Sequence, residues 1–176
     1  MTQLMNDPAP DFNDPLGLLM ACHQRILKHC DTLDRISERL SSSGCDDDVR
    51  DAARQVHRYF STAAKLHHQD EEQDFFPLLV RTSLKIAEAI HHLKQDHRRM
   101  ESLWQQLEPM LTDIDRLEDP EQFSVAASEF AQLYRSHIQQ ENAFIDDTAR
   151  HLLSAQQLNK LGRAMADRRQ VRSRQS

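Results

Sequence analysis

The chain of 176 residues carries a formal net charge of −6 when its ten histidines are counted as neutral. This length suits one domain, or one domain with a short appendage. Hydrophobic residues make up 39% and charged residues 28% of the chain, a composition that excludes wholesale disorder. Three glycines and six prolines are too few for a protein of many strands and tight turns, so the composition predicts an all-α fold.

The sequence also argues against a membrane protein and against a secreted protein. No apolar stretch approaches the roughly 18 residues of a membrane-spanning helix, so we expect no membrane partner. The N-terminus has neither the basic region nor the apolar region of a secretion signal, and three cysteines cannot all pair with one another. Together these features predict a cytoplasmic location.

The chain begins with the polar residues 1–13, which include two prolines and predict a flexible N-terminal arm. Asp14 and Pro15 then mark a helix start, because an N-cap acceptor is followed by proline in the first turn. The inward positions of this first helix recur every three to four residues, as is typical of an amphipathic helix. They are Leu16, Leu19, His23, Ile26, Cys30, Leu33, Ser37 and Leu40.

The second predicted helix follows a Ser/Gly break at residues 41–44 and opens with three aspartates, whose charge favours a helix N-terminus. Pro77 lies late in this helix and should bend or end it. The inward positions are Val49, Ala53, Val56, Phe60, Ala63, His67, Glu71, Asp74 and Leu78.

Two further long helices complete the predicted bundle. Thr82 or Ser83 can cap the third helix, and Asp119 can cap the fourth in a capping box with Gln122. The inward positions of the third helix are Ile86, Ile90, Leu93, His97, Met100, Trp104, Leu107 and Leu111. Those of the fourth helix are Phe123, Ala126, Phe130, Leu133, His137, Glu141, Phe144 and Thr148. The short links predict an antiparallel up-down-up-down four-helix bundle over residues 14–153.

Residues 154–176 predict a short extra C-terminal helix, capped by Ser154, and a basic tail. This segment holds one lysine, five arginines and one aspartate. Because the arginines are not interleaved with aromatic residues, we expect them to pair with the acidic bundle and not with nucleic acid or a membrane surface.

A histidine lies near the middle of each long helix, and two of these histidines are followed four residues later by glutamate. Residues four apart share one face of a helix, so each such pair projects inward together. Buried imidazoles and carboxylates are costly without compensation, which a pair of metal ions would supply. A single inward histidine is better explained as a hydrogen-bonded core residue, but four at matching heights favour a metal site. The predicted metal ligands are His23, His67, Glu71, His97, His137 and Glu141.

One alternative lies one residue out of phase in the second helix, where His68 and Glu72 have the same spacing. The apolar positions of that helix favour His67 and Glu71 as the inward pair. We therefore expect His68, Asp70 and Glu72 to lie around the site or on its solvated rim.

The segments PLGLLMACHQRI, HHQDEEQDFFP, KQDHRRM and SHIQQENAFI together resemble the hemerythrin-like (HHE cation-binding) domain family over residues 14–153. The resemblance implies a four-helix bundle around a non-haem di-iron centre. Members of this family act as O2 carriers, as sensors of O2, NO or redox state, and as iron-handling or iron-centre repair proteins.

The chain departs from the O2-carrying hemerythrins at two positions. Leu93 stands where those proteins have a second histidine in the third helix, and Glu141 replaces a more distant aspartate. Four imidazoles, two bridging carboxylates and an oxo or hydroxo bridge would leave one open position on each six-coordinate iron. This arithmetic favours a reactive or exchangeable site over simple O2 storage.

We therefore expect two iron ions and a small diatomic or peroxide ligand. The protein would sense or scavenge O2, NO or peroxide, or handle iron. A di-iron oxidase or peroxidase and a metal-free helical interaction module are the alternatives. The sequence leaves open whether the protein is an enzyme, although we lean against it, and whether it forms a homodimer.

Overall fold

The computed structural model describes residues 11–171, and within this range the chain forms helices and turns without any β-strand. The all-α prediction is therefore confirmed. The five helices are α1 (Pro15–Ser42), α2 (consecutive segments Asp47–Ser61, Ala63–Gln69, Asp70–Phe75 and Phe76–Leu79), α3 (Leu84–Thr112), α4 (Pro120–Phe144, continuing through Ile145–Ala149 and Arg150–Leu152) and α5 (Ala155–Arg168). A 3₁₀ turn, Ile114–Arg116, precedes α4. No helix in the described range is long and apolar enough to cross a membrane.

Each helix starts at a side chain that accepts a backbone N–H, which satisfies one of the free donors of the first turn. These N-cap residues are Asp14, Asp46, Ser83, Asp119 and Ser154. Ser154 and Gln157 form a complete capping box. Asp119 accepts from the backbone N–H of Gln122 at 3.1 Å, so only this half of the predicted capping box is formed.

The long helices enclose two hydrophobic clusters. One cluster combines the C-terminal parts of α1 and α3 with the N-terminal parts of α2 and α4, and includes Phe60, Trp104 and Phe130. The other combines the opposite ends of these helices with α5, and includes Leu19 and Phe75. This is the arrangement that antiparallel neighbours produce. Between the two clusters, each long helix contributes its central histidine.

A π-helical turn in α2, Asp70–Phe75, shifts the inward face by one residue. Leu79 is therefore buried where the sequence pattern predicted Leu78. Pro77 explains part of this irregularity, because proline lacks the N–H that would continue the regular hydrogen-bond ladder. The turn contains Glu71, so the irregular backbone lies at the site itself.

A second π-helical turn, Ile145–Ala149, lies near the C-terminal end of α4. It buries Ile145 where a regular period predicted Phe144. π-helical turns of this kind occur often at functional sites. In this chain the first π-helical turn contains the predicted ligand Glu71, and the second begins shortly after the predicted ligand Glu141.

The start of the described chain packs against the last helix. A Cβ atom added to Gly162 of α5 would lie 1.9 Å from the carbonyl oxygen of Phe12, so only glycine permits this close approach. Phe12 belongs to the segment predicted as a flexible arm. Most of that arm, residues 1–10, and the end of the basic tail, residues 172–176, lie outside the described residues.

Candidate metal centre

The six predicted ligands come together in the middle of the bundle. α1 carries one of them, α2 two, α3 one and α4 two. All six are buried, with exposed fractions between 0 and 4%: His23, His67, Glu71, His97, His137 and Glu141.

Glu71 lies among three imidazoles. Its Oε1 is 2.8 Å from Nε2 of His67 and 3.5 Å from Nε2 of His23. Its Oε2 is 3.3 Å from Nε2 of His97. The two oxygens of one carboxylate thus face different imidazoles, which is the disposition of a bridging ligand.

Glu141 lies opposite, on α4. Its Oε2 is 3.2 Å from Nε2 of both His23 and His137. The Nε2 atoms of His97 and His137 are 3.1 Å apart. Each of the four imidazoles therefore directs Nε2 toward the same small volume, and His23 contacts both carboxylates.

Three of these rings contact an oxygen acceptor through Nδ1, the nitrogen that faces away from the cluster. The Nδ1 partners are Asn142 Oδ1 for His23 at 2.6 Å, Glu72 Oε1 for His97 at 2.8 Å and Asp96 Oδ2 for His137 at 3.3 Å. Donation of the Nδ1 proton to such oxygens leaves the Nε2 lone pair directed inward, which is the orientation of metal-ligating histidines.

Sequence reasoning missed Asn142 and Asp96. Each lies next to a predicted ligand along the chain, Asn142 after Glu141 and Asp96 before His97. That adjacency is the signal that could have revealed them.

Buried polar atoms without partners show that these residues suit a cation. Oε2 of Glu71 and both carboxylate oxygens of Glu141 make no hydrogen bond. The inward Nε2 lone pairs face these oxygens, so lone pair meets lone pair unless a positive charge lies between them. Buried carboxylates left in this state are strongly destabilising. Metal ions would satisfy the oxygens and the imidazoles together.

Protons compete for the same positions. Burial lowers the pKa of His23, but the nearby carboxylates of Glu141 and Glu71 outweigh burial and raise it to about 10. In the same way, Glu71 and Glu72 raise the pKa of His97 to about 10 against the effect of burial. The pKa of His67 rises to about 9, because the charge of Glu71 outweighs desolvation. Without metal, these imidazoles are therefore protonated at neutral pH.

The structure places Glu71 and Glu72 differently. The Glu71 side chain is fully buried among the imidazoles, whereas that of Glu72 is 36% exposed and contacts His97 from outside. The expectation that Glu72 lies around the site agrees with this position. His68 is half-buried, and one of its ring nitrogens lies near Glu71 and His97.

Asp70 was expected around the site or on its solvated rim, and the structure excludes the solvated position because the residue is fully buried. Its carboxylate forms ion pairs with Arg168 and with Arg169, whose Nη2 lies 2.6 Å from Oδ2. Arg168 also pairs with Asp74. These two arginines thus pair with the acidic bundle, as expected for the basic segment, and they fasten the end of α5 to the π-helical turn that contains Glu71.

Arg169→Ala is expected to destabilise the protein by about 2 kcal/mol, or roughly 4–8 °C in Tm, because it leaves the buried Asp70 charge partly unpaired. Thermal unfolding followed by circular dichroism measures the change. Arg163 is an exposed residue of the same helix and serves as the control. Arg163→Ala should change the free energy of unfolding by no more than about 0.5 kcal/mol. In the double variant, Asp70→Asn should remove part of the destabilisation caused by Arg169→Ala. If the two substitutions instead changed the free energy of unfolding additively, the assigned ion pair would be contradicted.

Comparison with known proteins agrees with this geometry. A family model described as the hemerythrin HHE cation binding domain matches residues 14–145, a range that includes all six clustered residues. An uncharacterized protein of Haemophilus influenzae is 32% identical over 163 residues, which cover 92% of this chain and 93% of the relative.

Proposed function

Because the chain belongs to the hemerythrin HHE cation-binding domain family, we propose that its buried cluster of four histidines and two glutamates holds two iron ions. The observation that carries this proposal is the convergence of four Nε2 atoms on two buried carboxylates, three of whose four oxygens lack hydrogen-bond partners. Six such donors in an otherwise apolar core would be unfavourable without metal.

Two ions fit this arrangement better than one. Glu71 presents one oxygen to His67 and the other to His97, so its carboxylate can join two positions. The contacts of Glu141 with His23 and His137 supply donors on the other side. Imidazole and carboxylate donors without a thiolate suit iron among the common transition metals.

The residues around the cluster would orient it and exclude water. Glu72, Asp96 and Asn142 hold the imidazoles from behind, and a hydrophobic cluster closes the bundle on each side. Iron bound there would supply electron exchange and an open position for a small ligand. We propose that the protein senses or scavenges O2, NO or peroxide, or handles iron.

Metal analysis of aerobically purified protein tests this proposal. After expression with ample iron, elemental analysis should give about two iron ions per chain, as in other carboxylate-bridged helix bundles. The absorption spectrum should show bands that disappear on reduction or chelation. Less than one metal ion per chain would contradict the proposal and would favour the metal-free interaction module.

Peroxide turnover separates a binding protein from an enzyme. A sensor or scavenger without catalytic cycling consumes peroxide in proportion to its iron. Sustained consumption with a reductant would instead support the alternative of a di-iron peroxidase.

A further inference from the structure

A cavity of about 370 Å³ lies beside the cluster, between α2, α3 and α4. Apolar and aromatic side chains form much of its wall, including Phe60, Met100 and Trp104. Both His68 and His97 also line it. The cavity therefore reaches the proposed metal centre on the side of His97, with His68 at the same place.

Two contacts hold His68 beside that centre, and a third observation places one of its nitrogens near Glu71. Its ring stacks on the ring of His97, with centroids 4.0 Å apart and an interplanar angle of 14°. Its Nε2 is 3.4 Å from the hydroxyl oxygen of Tyr134, a residue only 3% exposed. One ring nitrogen of His68, one oxygen of Glu71 and one nitrogen of His97 also lie within 4.8 Å of one another.

That last grouping is close to what a shared metal ion requires. Two ligands on one ion are at most about 4.2 Å apart when each bond is about 2.1 Å, the usual length for a histidine nitrogen on zinc. Bringing all three atoms onto one ion requires these separations to shorten and the His68 ring to turn out of its stack on His97, because a nitrogen lone pair lies in the plane of its ring. Packing against His97 alone would not require a ring nitrogen to lie near Glu71.

Resting on the proposed metal centre, we propose that His68 is a seventh, exchangeable ligand. It takes the open position beside Glu71 and His97 until a small ligand arrives through the cavity. The six clustered residues are at most 4% exposed, whereas His68 is half-buried and borders free volume. Its ring can therefore turn away into the cavity once the contact with the Tyr134 hydroxyl is broken.

Azide binding to the iron-loaded protein tests this role, with the absorption spectrum as the readout. If His68 fills the position about nine-tenths of the time, His68→Ala should strengthen azide binding about tenfold. The iron content of this variant should stay at the wild-type value. Added imidazole should restore the wild-type spectrum and weaken azide binding in His68→Ala, with little effect on the wild-type protein. His92→Ala, at an exposed position, is the matched control and should behave as wild type.

Tyr134→Phe is a second variant that keeps the ring of the side chain and removes only its hydroxyl. It should bind azide with an altered affinity at unchanged iron content.

If wild type holds two iron ions but azide affinity and spectrum are the same in His68→Ala, the role of His68 is wrong and the metal centre stands. Loss of iron in His68→Ala would also overturn the proposal, because an exchangeable ligand is not needed to retain the metal. Wild-type protein without iron would refute the proposed function itself.

Discussion

Glu71→Ala and Glu141→Ala should each lose most of the bound metal, whereas Glu72→Ala should keep it. Glu71 and Glu141 lie fully buried between imidazoles, so each carboxylate would bind metal directly and offset part of its charge. Glu72 only accepts a hydrogen bond from Nδ1 of His97 and adjusts how that ring is held. Changes around a metal site of this kind cost about 10–100-fold in affinity, which excess iron overcomes.

Elemental analysis of the three variants, purified in parallel, gives the result. Far-UV circular dichroism shows whether each variant remains helical, so that loss of metal is not confused with loss of the fold. If Glu72→Ala empties the site while Glu71→Ala keeps its metal, then the inward pair of α2 is His68 and Glu72, one residue out of phase with our assignment.

Removing the metals should lower Tm by several degrees at neutral pH without unfolding the chain. Stripped of metal, six polar groups face one another in the core, and a ligand that binds only the native state stabilises it by mass action. The two hydrophobic clusters remain in the apo protein, so most of the far-UV helical signal should persist. An unchanged Tm would mean that the six residues do not share a buried metal site.

This difference in Tm between holo and apo protein should widen as the pH rises from 6.5 to 9. In the apo protein the pKa values of His23 and His97 are about 10 and that of His67 is about 9, against an ordinary value of 6.5. A raised pKa contributes stability that is fully present below pH 6.5 and is lost as the pH rises through 9 to 10. Burial raises the pKa of Glu71 and of Glu141, but the neighbouring imidazoles outweigh burial and lower both, so their contribution is constant above about pH 5.

Metal-bound imidazoles carry no proton at Nε2, so the holo protein lacks this dependence on pH. Paired thermal melts at pH 6.5, 7.5 and 9.0, with and without chelator, would show it. A difference that is constant or shrinks with pH would contradict the raised pKa values and the shared site behind them.

The sequence alone predicted the all-α fold, and the six residues that it proposed as ligands lie together in the middle of the bundle. Helical periodicity is a local property with 3.6 residues per turn, so the inward face of each helix is readable from a short segment. In α2, Val56 and Phe60 are buried as predicted and favour His67 and Glu71 over His68 and Glu72 as the inward pair. Ala63 and Leu78 were predicted one residue away from the buried positions Ala64 and Leu79. The metals that these residues would hold stay a prediction.

Only the tertiary structure shows where the helical period is interrupted and which groups from other helices contact the clustered residues. The π-helical turn at Asp70–Phe75 breaks the regular period and moves the inward face by one residue. Asp70 is buried because Arg168 and Arg169 reach it from a helix nearly a hundred residues later, and burial of a charge depends on such a partner. The hydrogen bonds of Asn142 and Asp96 and the place of His68 beside the cavity likewise depend on how neighbouring helices meet. A sequence pattern shows which face of a helix turns inward, whereas the groups that it meets there are set by the packing of the whole bundle.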